Sequence, residues 1–339
     1  MVDHGRVPLP RVSRPRLVWG LRIASTVAVV LSAGWLALRT DLRGSVSAVG
    51  DLEPAMLAIA ALATAAAVIN RGMLHHQSRS LHGVACGLGT EIRLSAASLA
   101  LNKVVKSGGL AGLTLYVRQG RRDGASTAAV TRAFVVVGAA AYVALAGLAI
   151  ATIALVPRDD VPVAGTLSDM AFGAMGAVAV AVVATVFVTG IITSGSTLGI
   201  GRRSTSASRI VVHAGLNKLL GVVTLAAVLA AADAPVGVEM AVLVYTTALV
   251  GGALSIVPAG LGVVEVSTVA VLTAAGVEPN TAVAAVLAFR LFDLWIPVAI
   301  GWAMAIGLDA EPAGDETPIL ADGLGVPAPR VMAGAGATA

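Results

Sequence analysis

The chain has 339 residues, of which 57% are hydrophobic and only 12% charged, and its mean hydropathy is +0.89. A soluble domain carries about 25% charged residues. Several runs here approach or exceed the roughly 18 apolar residues of a membrane span, so a water-soluble protein is excluded and an all-α polytopic membrane protein is predicted. The formal charge of +4 comes without a basic stripe interleaved with aromatics, so it reads as cationic cytoplasmic loops and not as a nucleic-acid surface.

Residues 1–16 carry Arg6, Arg11, Arg14 and Arg16 and form a cationic cytoplasmic tail. The apolar run 17–38 is too long for the core of a cleaved signal peptide, about 7–15 residues, and reads as a retained span. After a loop from Asp41 to Glu53, a second span covers 54–70. Arg71, His75, His76, Arg79, His82, Glu91 and Arg93 then read as a cytoplasmic interfacial loop. Its three histidines lack HExxH spacing or a carboxylate cluster, so no metal site is assigned. Cys86 is the single cysteine, which excludes an internal disulfide.

Residues 94–117 are too polar for a simple span, with Asn102, Lys103, Lys106 and the cluster Ser107-Gly-Gly-Leu-Ala-Gly112. A re-entrant hairpin or a pair of half-helices fits them better. Spans follow at 133–156, 170–193, 210–232 and 238–257, with an acidic, external loop at 157–169. A shorter helix at 262–276, a turn at Glu278-Pro-Asn280 and a last span at 281–307 complete a count of about eight crossings. The transmembrane domain is 17–308, and 309–339, rich in Ala, Gly and Pro, is expected to be a disordered tail. Cationic loops place the N-terminus, and with it the C-terminus, on the cytoplasmic side of a cell membrane.

The segment Ser255-Ile-Val-Pro-Ala-Gly-Leu-Gly-Val-Val-Glu265 interrupts this apolar frame. Pro258 has no amide hydrogen, and Gly260 and Gly262 permit left-handed backbone angles. A broken helix at membrane depth persists only when buried in protein or facing a watery cavity, as in the binding sites of many transporters. Ser107, Gly108 and Gly109 break an earlier apolar region before Arg132, as Pro258 to Gly262 do before Arg290, which suggests an internal repeat with an insertion of 7 in the second half. Chance recurrence of glycine patterns among 38 glycines is the alternative.

Arg290 and Asp293 share a helix face, and Pro297 removes the hydrogen bond that the Asp293 carbonyl would accept. They form either an internal ion pair that locks helices or an anion-binding arginine held by an aspartate. Glu265 either caps the helix after the break, partners Arg290, or takes up a proton. His213 and Asn217, with Lys218 adjacent, either bond between helices or line a cavity under the broken helices. Lys106 and Arg118 flank the first glycine cluster, where they suit a phosphate or an interface. No catalytic motif and no cofactor motif is present, so no enzymatic activity is expected.

The stretches Asn102…Ser107-Gly-Gly-Leu-Ala-Gly112…Arg118, Pro258-Ala-Gly-Leu-Gly-Val-Val-Glu265 and Arg290…Trp295-Ile-Pro297…Gly301 resemble the transmembrane, flippase-like region of lysylphosphatidylglycerol synthases and their stand-alone relatives. The likeness covers about residues 17–307; the proline usual after the asparagine and the following acid are missing from the first motif. In full-length members this region moves an aminoacylated lipid made by a soluble transferase domain. Here only about 31 residues follow the last span, so no transferase and no lipid aminoacylation are expected. The resemblance implies a membrane component that binds or moves a phospholipid, glycolipid or polyprenyl-linked lipid, with no nucleic acid as partner. The alternatives are a non-transporting partner of a separate lipid-modifying enzyme, or a secondary transporter of a small anion.

Overall fold

Pro54, Thr127, Ser208 and Pro279 open the apolar helical stretches Pro54–Leu81, Thr127–Ala154, Ser208–Ala231 and Pro279–Ala305, each long enough to cross a membrane. The computed structural model describes residues 42–84, 86–105, 107–155, 200–234, 236–255 and 257–306. The tail 1–16, the spans 17–38 and 170–193, the loop 157–169, Lys106 and the tail 309–339 lie outside the described residues.

Helix α1 (Leu42–Gly50) replaces most of the loop expected between Asp41 and Glu53. Helix α2 (Pro54–Leu81) starts on a proline, whose missing N–H is unpaired at a helix start in any case. It runs 28 residues and does not stop at 70. The interfacial loop read from Arg71 onward is thus helix as far as Leu81. Its polar residues turn inward: Arg79 pairs with Glu91 at 2.7 Å, and His75 stacks on Tyr116 with ring centroids 4.6 Å apart.

Helices α3 (Leu88–Val104) and α4 (Leu110–Arg122) divide the polar stretch as a pair of short helices. Between them Gly108 and Gly109 take φ of 65° and 95°, and the Ser107 hydroxyl accepts from the Ala111 amide at 2.9 Å. Helix α5 (Thr127–Leu155) and helix α6 (Ile200–Ala231) each begin earlier than the sequence suggested. Helix α7 (Val238–Leu254) leads into a 3-10 turn (Pro258–Gly260) and helix α8 (Val263–Ala274). Glu278 is the N-cap of α9 (Pro279–Arg290), so the expected turn is largely the helix start. A π turn (Leu291–Trp295) joins α9 to α10 (Ile296–Ala305) in one rod.

All of the described secondary structure is helical, as an all-α polytopic membrane protein requires. Helix α2 lies along α6, and α10 lies along α3. The second contact needs Gly301, where a Cβ would meet the Ala96 carbonyl oxygen and the Ala100 methyl at 2.6 Å. Leu225, Val228, Val244, Leu272 and Ala282 fill the main core without exposure. Leu62, Val212, Leu219 and Trp302 point outward, which suits lipid better than water.

Candidate functional site

The break after α7 follows from its residues. Pro258 supplies no N–H, while Ala259, Gly260 and Gly262 take positive φ of 54°, 67° and 81°. A Cβ on Gly260 would sit 2.8 Å from Val264 and 3.1 Å from the Gly252 backbone, so only glycine fits. The turn leaves the Ala259 carbonyl free of helical pairing, and Arg290 Nη2 donates to it at 2.9 Å.

Glu265 serves two of its predicted roles at once. One oxygen accepts from the Gly262 amide at 2.7 Å and closes the first turn of α8. The other lies 2.6 Å from Arg290 Nε, an ion-pair contact and not an aligned hydrogen bond. Arg290 is only 3% exposed and also reaches Asp293 at 3.4 Å. Asp293 in turn holds Lys103 Nζ at 3.2 Å, so Glu265, Arg290, Asp293 and Lys103 form a continuous run of alternating charge. Each charge meets an opposite one, which offsets the cost of placing ions at membrane depth.

Pro297 explains the shape of the rod beside this run. It has no amide for the Asp293 carbonyl, and the Ile296 amide instead bonds the Leu291 carbonyl in a π turn. At the first break, Asn102 Oδ1 accepts from the Gly112 amide at 2.8 Å. A Cβ on Gly112 would collide with Ser98 and Asn102, so this bond depends on glycine.

Two cavities flank the charges. One of about 240 Å³ is lined by Asn102, Lys103, Ala259, Arg290 and Asp293 among others. The second, of about 220 Å³, is lined by Arg71, Lys103, Asn217, Lys218, Asp293 and Pro297 among others. Lys103, Tyr245, Leu249, Phe289 and Asp293 belong to both walls.

The structure therefore gathers Asn102, Arg290 and Asp293 around one cavity, with Pro258, Gly260, Gly262 and Glu265 building the turn beside it. Asn217 and Lys218 line the other, although Asn217 also donates to the Ala67 carbonyl at 3.0 Å. His213 is engaged by Asn70, ring nitrogen to side-chain oxygen at 2.6 Å, and lines neither cavity. Arg118 and Arg132 are exposed on α4 and α5, away from both linings. Ser107, Gly108 and Gly109 shape the first break without lining a cavity.

Lys103, Arg71 and Tyr245 were not among the sequence candidates. Lys103 neighbours Asn102 in a segment already marked as too polar for a span, so its signal was present. Arg71 was hidden by ending the second span at residue 70.

The lysylphosphatidylglycerol synthase TM region family matches residues 18–301 of this chain. The chain belongs to that family. As a member of the lysylphosphatidylglycerol synthase TM region family it is a membrane protein, and the matched range contains both breaks and the whole run from Lys103 to Asp293. No curated protein matches it.

Proposed function

We propose that this chain is a flippase-like protein of the cell membrane that binds an anionic phospholipid, glycolipid or polyprenyl-linked lipid and carries its headgroup across the bilayer. The family's tie to lipid metabolism supports the lipid, and the paired charges beside the cavities support the path. The observation that carries the reading is the meeting of the two breaks: Asn102, bonded to Gly112, and Ala259, bonded to Arg290, line the same cavity. Each cavity is smaller than the roughly 300–1,000 Å³ of a drug-sized site. That size suits a headgroup whose acyl chains remain in lipid. Moving it requires a hydrophilic route in place of its hydration water and no reaction, so no cofactor enters the scheme.

In the same reading the breaks are re-entrant and the two halves are repeats. Helices α3 and α7 have 17 residues each, and their starts, Leu88 and Val238, are 150 positions apart. The preceding helices end at Leu81 and Ala231, the same separation. Aligning the starts of α5 and α9, Thr127 and Pro279, sets Arg290 opposite Gly138 and not Arg132. The repeat is one of elements, and the charged residues differ between halves.

The test is lipid movement in vesicles. Reconstituted protein should scramble a fluorescent anionic lipid, and Arg290→Ala should abolish it. Wild-type scrambling no faster than that of empty vesicles would defeat the proposal. If the wild type and Arg290→Ala both move lipid no faster than empty vesicles while Arg290→Ala releases a co-purifying lipid-modifying enzyme, the chain is a non-transporting membrane partner.

A further inference from the structure

Arg71 and Lys218 differ from every other charge near the cavities. Arg290, Lys103, Asp293 and Glu265 have partners within the site. Among the described residues, Arg71 and Lys218 make neither a hydrogen bond nor an ion pair, and Arg71 Nε is fully buried with none. Both line the 220 Å³ cavity, Arg71 from α2 and Lys218 from α6. Lys103 lines the same wall, and Asp293 is the one carboxylate among the lining residues. Three cations thus face one anion, an excess of two positive charges. Unpaired ions at membrane depth are costly and mark a function by default.

The excess defines what would complete the chamber. A phosphodiester headgroup brings one negative charge, whereas a terminal phosphate brings about 1.5–2 near neutral pH and presents three acceptor oxygens. Arg71 offers a fork of donors and Lys218 a point charge, the two complementary ways of holding phosphate oxygens. The 240 Å³ cavity has a smaller excess, with Lys103 and Arg290 against Asp293 in its lining, and both of its cations are already paired, Lys103 with Asp293 and Arg290 with Glu265 beside the cavity. We propose that Arg71, Lys218 and Lys103 form a binding chamber for a phosphate dianion, either the terminal phosphomonoester or diphosphate of a lipid or the same group free in solution. The lipid form rests on the headgroup path proposed above and narrows its substrate class.

The experiment reads binding, not movement, so it can fail or succeed independently of the scrambling assay. The full chain is placed in phosphatidylcholine nanodiscs, and retention of phosphatidic acid is compared with that of phosphatidylglycerol by native mass spectrometry. Charge-assisted hydrogen bonds to an added oxygen predict a preference of about tenfold or more for phosphatidic acid. Arg71→Gln and Lys218→Gln should each bring the ratio towards one, and Lys218→Arg should keep it. Unfolding midpoints of each variant are measured alongside. Should Arg71→Gln fail to fold, the wild-type ratio and Lys218→Gln decide. Competition by inorganic pyrophosphate assigns the chamber to a soluble ligand, and retention in its presence assigns it to a lipid. Equal retention of both lipids by the wild type and no pyrophosphate binding would overturn the proposal. A preference unchanged in both glutamine variants would also overturn it.

Discussion

Arg79 is 2% exposed and its partner Glu91 is not exposed at all, in a stretch whose composition reads as an interfacial loop. Asp123 adds a second contact at 3.2 Å, and Arg79 thereby ties α2 to α3 and to the end of α4. Removing one member of such a pair leaves an uncompensated buried charge. Arg79→Ala should therefore lower unfolding free energy by about 3–5 kcal/mol, measured by denaturant titration in detergent. The double change Arg79→Met with Glu91→Leu should recover much of that loss, because neither charge is then stranded. A single variant as stable as wild type would show that water reaches the pair. The same lesson governs Arg71. In one dimension a charge looks solvated, and only the partner 12 residues along the chain, or the absence of one, shows what it does.

Helix interruptions were legible because proline and glycine act on the backbone locally. The sites at 107–109 and 258–262 lie in the gaps between α3 and α4 and between α7 and α8, with positive φ at the glycines. Helix ends were not legible, because tertiary partners extended α2, α5 and α6 past polar residues that look like stops. The start of α9 is a case where local chemistry does decide. Glu278 accepts from the Thr281 amide at 2.8 Å and from its hydroxyl at 3.3 Å. Backbone hydrogen bonds from Thr281 and Asn280, with the Thr281 hydroxyl adding less, hold the Glu278 carboxyl below its ordinary range, since they favour the ionised form. With the folded value depressed, the cap contributes fully above the unfolded carboxylate range. Its contribution is lost as pH falls through the folded value. Glu278→Gln should therefore reduce stability at pH 7 by an amount near the lower end of the about 0.5–2 kcal/mol of a lost cap, and the difference from wild type should shrink below about pH 4. Thermal unfolding of both forms across that range checks it. An undiminished difference at low pH would show that charge is not what the cap supplies.

Among the described residues, the two halves of the chain meet through polar contacts such as Asn70 with His213, Thr152 with Thr246 and Lys103 with Asp293, set in apolar packing. Lys103 comes from the first half and Asp293 from the second, 190 residues apart, and their 3.2 Å bond sits in the wall common to both cavities. The side chains are 25% and 29% exposed, so solvent screening weakens the pair relative to Arg79–Glu91. Helix α10 already packs on α3 through Gly301. The bond is therefore needed less for holding the halves together than for fixing Asp293 between Lys103 and Arg290. A double-mutant cycle separates these roles. Lys103→Gln, Asp293→Asn and the pair of changes should show a coupling in unfolding free energy towards the lower end of the about 0.5–3 kcal/mol found for contacting residues. Anion retention should respond in opposite directions. Lys103→Gln removes a cation from the chamber and should weaken it, whereas Asp293→Asn removes the one opposing carboxylate and should strengthen it. If both changes weaken retention alike, Asp293 acts by positioning Lys103 and Arg290 and not by setting the charge of the cavity.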